Sequence, residues 1–157
     1  MSDDATNTSD QFNISLANEQ ATHTVNEGQL TAAARAVLRD SAYSSADISL
    51  AIVDDEIIHQ LNRQYLGHDY PTDVLSFVLD ERDGHLEGEV IISADTAASE
   101  AAEAGWAAAA EQLLYVIHGS LHLVGYRDKS PADAEQMRAA EERYLSEFGY
   151  QSPTSFD

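Results

Sequence analysis

From Phe12 to Ala17 hydrophobic and polar positions alternate, with Phe12, Ile14 and Leu16 falling on one side. That is the period of a strand with one face on a core. From Glu27 to Asp40 the spacing changes to that of a helix and puts Leu30, Ala34, Val37 and Leu38 on one face. Asp47 to Val53 (DISLAIV) reads again as a strand. Asp54 then stands where a helix cap is wanted, ahead of Ile57, Ile58, Leu61 and Tyr65 at helical spacing, so a second helix is expected to reach Leu66. Pro71 interrupts the chain. Asp73 to Leu79 (DVLSFVL) is rich in residues that suit a pleated surface, ERDGH is a turn, and Leu86 to Ser93 is a further strand. The short connection predicts a hairpin.

Beyond Ser93 the pattern is helical. An Ala-rich helix is expected over Ala94 to Ala104, stopped by Gly105, and a mostly apolar one from Trp106 to about Val124, stopped by Gly125. Ser130 and Pro131 suit the start of a last helix reaching Phe148, because serine caps and proline fits the first turn. Strands and helices come first and helices alone follow, which argues for an α+β fold: a small mixed sheet with helices packed on it. The expected organisation is a disordered tail over residues 1–11, one domain over 12–149 and a loose C-terminal tail over 150–157.

Composition narrows the function. A chain of 157 residues is long enough to bury one core. It holds no cysteine, which excludes disulfides, thiolate zinc sites and cysteine nucleophiles. No apolar run approaches the ~20 residues of a membrane span, and the first residues, MSDDATNTSDQ, lack the basic and apolar regions of a secretory signal. A cytoplasmic protein that does not engage membranes is expected. The net charge of −20, from 28 acidic residues against 8 Lys plus Arg, repels phosphate backbones as well as anionic lipid. Any reading that involves nucleic acid therefore has to supply a local source of attraction.

The chemistry concentrates in HGSLHLVGYRD, His118 to Asp128. His118 and His122 lie four apart on an expected helix and share a face. Gly125 lets the chain turn and bring Asp128 back beneath them. Two imidazoles and a carboxylate make three ligands and leave one position open, the pattern of catalytic rather than structural zinc. A divalent ion held there would lower the pKa of its water towards ~7 and polarise a phosphoryl or carbonyl oxygen. The offsets match those of zinc proteases, but the position of the proteolytic glutamate is Gly119. A metallopeptidase would lack its general base, which sets that reading aside.

Three blocks carry a family resemblance. HGSLHLVGYRD resembles the signature of the YbeY family of metal-dependent endoribonucleases. LNRQYLGHDYPTDVLSF, Leu61 to Phe77, resembles a second motif of that family, and GEVIIS, Gly88 to Ser93, a third; Met137, Glu141 and Leu145 fit its closing helix. The resemblance implies a zincin-like fold with one Zn²⁺, ligands at His118, His122 and Asp128, and cleavage of single-stranded RNA in ribosomal RNA maturation and ribosome quality control. It implies ribosomal RNA and the ribosomal small subunit or its proteins as partners.

Three positions depart from the family pattern, one of them Arg127, which stands where the family usually has aspartate. Asp128 stands where the family has histidine, which adds oxygen character and suits harder ions. Leu66 stands where the family has an arginine that would face substrate phosphates. Arg63, Arg127 and Lys129 are the candidate replacements for substrate binding. His59 and His85 read as surface residues and His68 as a loop residue that could border a groove. Thr72 and Asp73 read as turn and cap residues, Ser76 and Phe77 as core or groove wall, and Tyr126 as a residue that stacks on a base or packs. A non-catalytic ribosome-assembly factor with a structural metal is the rival reading, favoured by the acidic surface and Leu66.

Overall fold

A computed structural model describes residues 11–153. Four strands form one sheet in the order β1-β2-β4-β3, with β1 (Phe12–Asn18), β2 (Ser45–Val53), β3 (Val74–Arg82) and β4 (His85–Ser93). β1 and β4 each pair parallel to β2, and β3 pairs antiparallel to β4 as the outer strand of a hairpin. The helices are α1 (Glu27–Arg39), α2 (Asp55–Leu66), α3 (Ala94–Ala104), α4 (Ala108–Leu123) and α5 (Pro131–Glu147). This is the α+β architecture expected. The expectations for residues 1–10 and 154–157 fall outside the described residues.

Alternation along the strands sorts the two faces. Ile48, Leu50 and Ile52 of β2 with Leu86, Val90 and Ile92 of β4 point into the main core, where they meet Leu30, Leu38, Leu113, Ile117 and Leu121. The opposite face is covered only in part, by α2, whose Ile58 packs on Val53, Leu75 and Ile91. α4 is apolar nearly all round because it is the central helix: it touches α1, α3, α5, β3 and β4.

Where the boundaries differ from expectation, the backbone shows why. The turn is not the five residues ERDGH but Asp83 and Gly84 alone, with φ of +53° and +79°. Two successive residues in that region make the tight turn that strand twist prefers, and the strands extend to Arg82 and from His85 accordingly. The ladder slips between Val78 and Asp80, so Leu79 is bulged out. α4 begins at Ala108 rather than Trp106 because Gly105, in the left-handed region, closes the preceding helix. The Trp106 amide is spent in that closure, donating to the Ala101 carbonyl at 3.1 Å. Tyr150, expected in the loose tail, packs edge-on against Trp106 with ring centres 6.5 Å apart.

Candidate metal centre

The site is built from the seat of α4 on the sheet. Gly119 faces Val90, and a Cβ there would lie 2.6 Å from Val90 Cγ1. The absent side chain lets the helix approach the sheet closely, and the Ser76 hydroxyl ties the two by donating to the Gly119 carbonyl at 2.6 Å. The same contact explains why no glutamate stands at this position: its side chain would be driven into β4. The peptidase reading thus loses its base for a steric reason.

One turn apart on α4, His118 and His122 stand with ring centres 4.6 Å apart and planes at 79°. Their Nε2 atoms approach to 3.1 Å. Gly125, at φ +108°, turns the chain after the helix, and Asp128 returns with Oδ2 3.6 Å from His122 Nε2. One ligand atom from each of the three residues lies within 4.8 Å of the others.

Each histidine is held by its other nitrogen. His118 Nδ1 lies 2.5 Å from Glu141 Oε2 on α5, and His122 Nδ1 lies 3.0 Å from the Tyr126 carbonyl. Both partners are acceptors, so both Nδ1 atoms donate and both Nε2 atoms present lone pairs. Two lone pairs and a carboxylate facing one another need a cation or a bridging proton between them. That donor set fits a divalent metal, and the carboxylate and carbonyl behind the imidazoles are the partners that metal-bound histidines characteristically have. Burial disfavours the His118 imidazolium, but the hydrogen bond and charge of Glu141, with Asp73 and Asp128 farther off, together raise its pKa above the ordinary histidine value.

A cavity of about 400 Å³ opens over this group, lined by Leu66, Asp73, Val74, Leu75, Ser76, His118, Gly119, His122 and Asp128. Asp73 Oδ1 accepts the Val74 amide at 2.8 Å, and the residue is part of the cavity lining. None of Arg63, Arg127 and Lys129 is in the lining. Arg63 is 3.6 Å from Asp69, and Arg127 faces a separate surface hollow beside Gln136. Tyr126 lines a separate surface hollow with Ala140 and Arg143 of α5 and contributes its carbonyl to the site.

Sequence reading missed Glu141 as a site residue. The signal was present: Met137, Ala140, Tyr144 and Leu145 form the buried stripe of α5, and Glu141 stands beside it. Among the described residues a second cluster, Asp47, His85 and Glu87, also has ligand spacing. There His85 spends both nitrogens, one on Ser45 Oγ at 2.6 Å and one on Asp47 Oδ2 at 3.2 Å, so it is an exposed ion pair with no open imidazole nitrogen.

Comparison with known proteins adds to this geometry. A family model described as endoribonuclease YbeY matches residues 15–149. A curated endoribonuclease YbeY of Desulfitobacterium hafniense (strain Y51) is 41% identical over 126 residues, 74% of this chain and 80% of that protein. One of Geobacter sulfurreducens is 40% identical over 138 residues, 84% of this chain and 92% of that protein. Among solved structures, the solution structure of TM1509 from Thermotoga maritima is similar at a TM-score of 0.59 and 27% identity, covering 87% of this chain and 91% of that one.

Proposed function

The chain belongs to the YbeY family, and from that premise we propose that it is a metal-dependent endoribonuclease cutting single-stranded RNA in ribosomal RNA maturation and ribosome quality control. The observation that carries the reading is the convergence of His118 Nε2, His122 Nε2 and the Asp128 carboxylate beneath a cavity. These three would hold one divalent ion, Zn²⁺ on the strength of the two imidazoles. When bound, such an ion supplies Lewis acidity to a phosphoryl oxygen.

The chain's own residues do the rest. Glu141 and the Tyr126 carbonyl fix the tautomer and tilt of the two imidazoles. Leu66, Val74 and Leu75 give the cavity an apolar wall. Asp73 is the lining carboxylate outside the ligand set, and its Oδ2 makes no hydrogen bond among the described residues. On this reading it takes the proton of the attacking group, a water or the strand's own 2′-hydroxyl. The ribosomal small subunit or its proteins would bring the substrate to a surface of this charge.

The test is elemental analysis and RNA cleavage on wild type and Asp128→Ala, purified without added metal or chelator. One tightly held ion per wild-type chain, weakened in the variant together with cleavage of single-stranded RNA, is the expected result. A wild type that retains no ion after reconstitution with zinc, or cleaves RNA equally well without one, overturns the proposal.

A further inference from the structure

The cavity that would receive the scissile phosphate has a wall of unusual chemistry for a nucleic-acid site. Its ionisable lining is Asp73, Asp128, His118 and His122, with no lysine or arginine. Arg63, nearby on α2, is paired with Asp69, and the chain as a whole carries −20. Phosphate contacts are therefore a poor handle here. Affinity has to come from the uncharged part of the strand.

The chain around Leu66 offers such a handle. Leu66 and Asp73 both line the cavity, and residues 67–72 connect them. Of the seven exposed large hydrophobic residues among those described, Leu66 lines the cavity, Tyr65 precedes it on α2 and Tyr70 lies in the segment that follows it. Tyr65 is 60% exposed and Tyr70 53%. Yet both rings are held. Tyr65 meets the Phe77 ring edge-on at 5.8 Å, and Tyr70 lies stacked with His68 at 5.3 Å with planes 9° apart. The loop is fixed from below by buried Asn62, whose Nδ2 donates to the Tyr70 carbonyl at 2.9 Å and whose carbonyl accepts the His68 amide at 3.2 Å. Exposed aromatic faces held in place are what an unpaired base can stack on without ordering the protein first.

We propose that Tyr65 and the His68–Tyr70 pair, flanking the cavity-lining Leu66 in the chain, form a base-stacking platform for the strand entering the cavity, and that it supplies most of this protein's hold on single-stranded RNA. The inference rests on the endoribonuclease reading and adds how the strand is held. Tyr65 and Tyr70 act as positioning residues, since they touch bases rather than the reacting phosphate. A base-paired strand has no free faces to offer, so the platform also makes the site selective for single strands.

The experiment uses the metal-loaded full chain and a single-stranded 2′-O-methyl phosphorothioate oligonucleotide that resists cleavage, with an abasic version as control. Binding is followed by fluorescence anisotropy across a salt series. Natural single-stranded RNA is used in parallel for cleavage. Tyr65→Ala and Tyr70→Ala are each expected to weaken binding by ~5- to ~100-fold, raising KM with kcat little changed. Tyr65→Phe and Tyr70→Trp should restore it. The abasic strand should bind poorly, and the fall of log affinity with log salt should be shallow, with a slope near −1. Alanine variants or an abasic strand that bind like the originals, or a steep salt slope, overturn the platform while leaving a cleaving enzyme in place. A wild type that neither binds nor cleaves overturns the platform and the nuclease reading together.

Discussion

Glu141 and His118 stand on different helices, and their contact decides how the imidazole presents its other nitrogen. Glu141→Gln can still accept from Nδ1 but loses the charge, so zinc affinity should fall by about 10- to 100-fold with the fold intact. Competition against a chromophoric chelator measures this, and an unchanged affinity would remove Glu141 from the site. Asp73→Asn keeps the cap on the Val74 amide while removing the proton acceptor. It should lower kcat for RNA cleavage by ~10²–10⁴ with metal content unchanged; loss of metal instead would make Asp73 part of the ligand shell. Gly119→Ala puts a methyl 2.6 Å from Val90 Cγ1 and should destabilise by about 1–3 kcal/mol. Adding Val90→Ala should return part of that loss in a urea double-mutant cycle. At this scale the clustering of His118, His122 and Asp128 was legible because one helix turn and one glycine turn bring them together locally. Glu141 was not, since its role exists only once α5 packs on α4.

The starts of α2 and α3 are locked to each other. The Asp55 amide donates to Asp95 Oδ2 at 2.9 Å, while Ser93 and Thr96 hydroxyls donate to Asp55 Oδ1 at 2.5 and 2.7 Å. His23, from the segment entering α1, adds a contact to Asp95 Oδ1 at 2.9 Å. The Asp55 amide first, and His23 next, hold the Asp95 carboxyl below its ordinary pKa. A depressed pKa means the folded state prefers the charged form. The contribution is present above the unfolded value of ~3.9 and disappears as pH falls through the lower folded value. Urea midpoints of wild type and Asp95→Asn should therefore differ at neutral pH and converge as pH drops below ~4; a gap that stays constant would refute the assignment. Element existence was readable from period alone, and Asp54 and Ser130 mark starts the structure confirms by side-chain caps, while Ser93, read only as a strand end, caps α3 as well. The hairpin was misjudged in length because Asp83-Gly84 acts through positive φ, which composition of the surrounding ERDGH hides.

Across the whole molecule, the sheet order β1-β2-β4-β3 puts β3 at an edge, with α4 on one of its faces and α2 on the other. His118, His122 and Asp128 thereby share a single cavity with Leu66 of α2 and Val74 of β3 although they come from distant parts of the chain. That juxtaposition could not be read from periodicity, since nothing local specifies which strands are neighbours. No helix among the described residues is long and apolar enough to cross a membrane. The excess of negative charge pushes the folded chain apart, so its unfolding midpoint should rise as salt approaches 1 M, where screening acts within ~3 Å; a falling midpoint would mean that ion pairs such as Arg143 with Asp40 outweigh the repulsion. The most direct measurement is a titration of zinc into metal-stripped protein while cleavage of a single-stranded RNA is followed. Cleavage that rises from near zero and levels off at one equivalent per chain, and stays flat for Asp128→Ala, is the expected result. Cleavage indifferent to stripping, or absent at every metal loading, would contradict it.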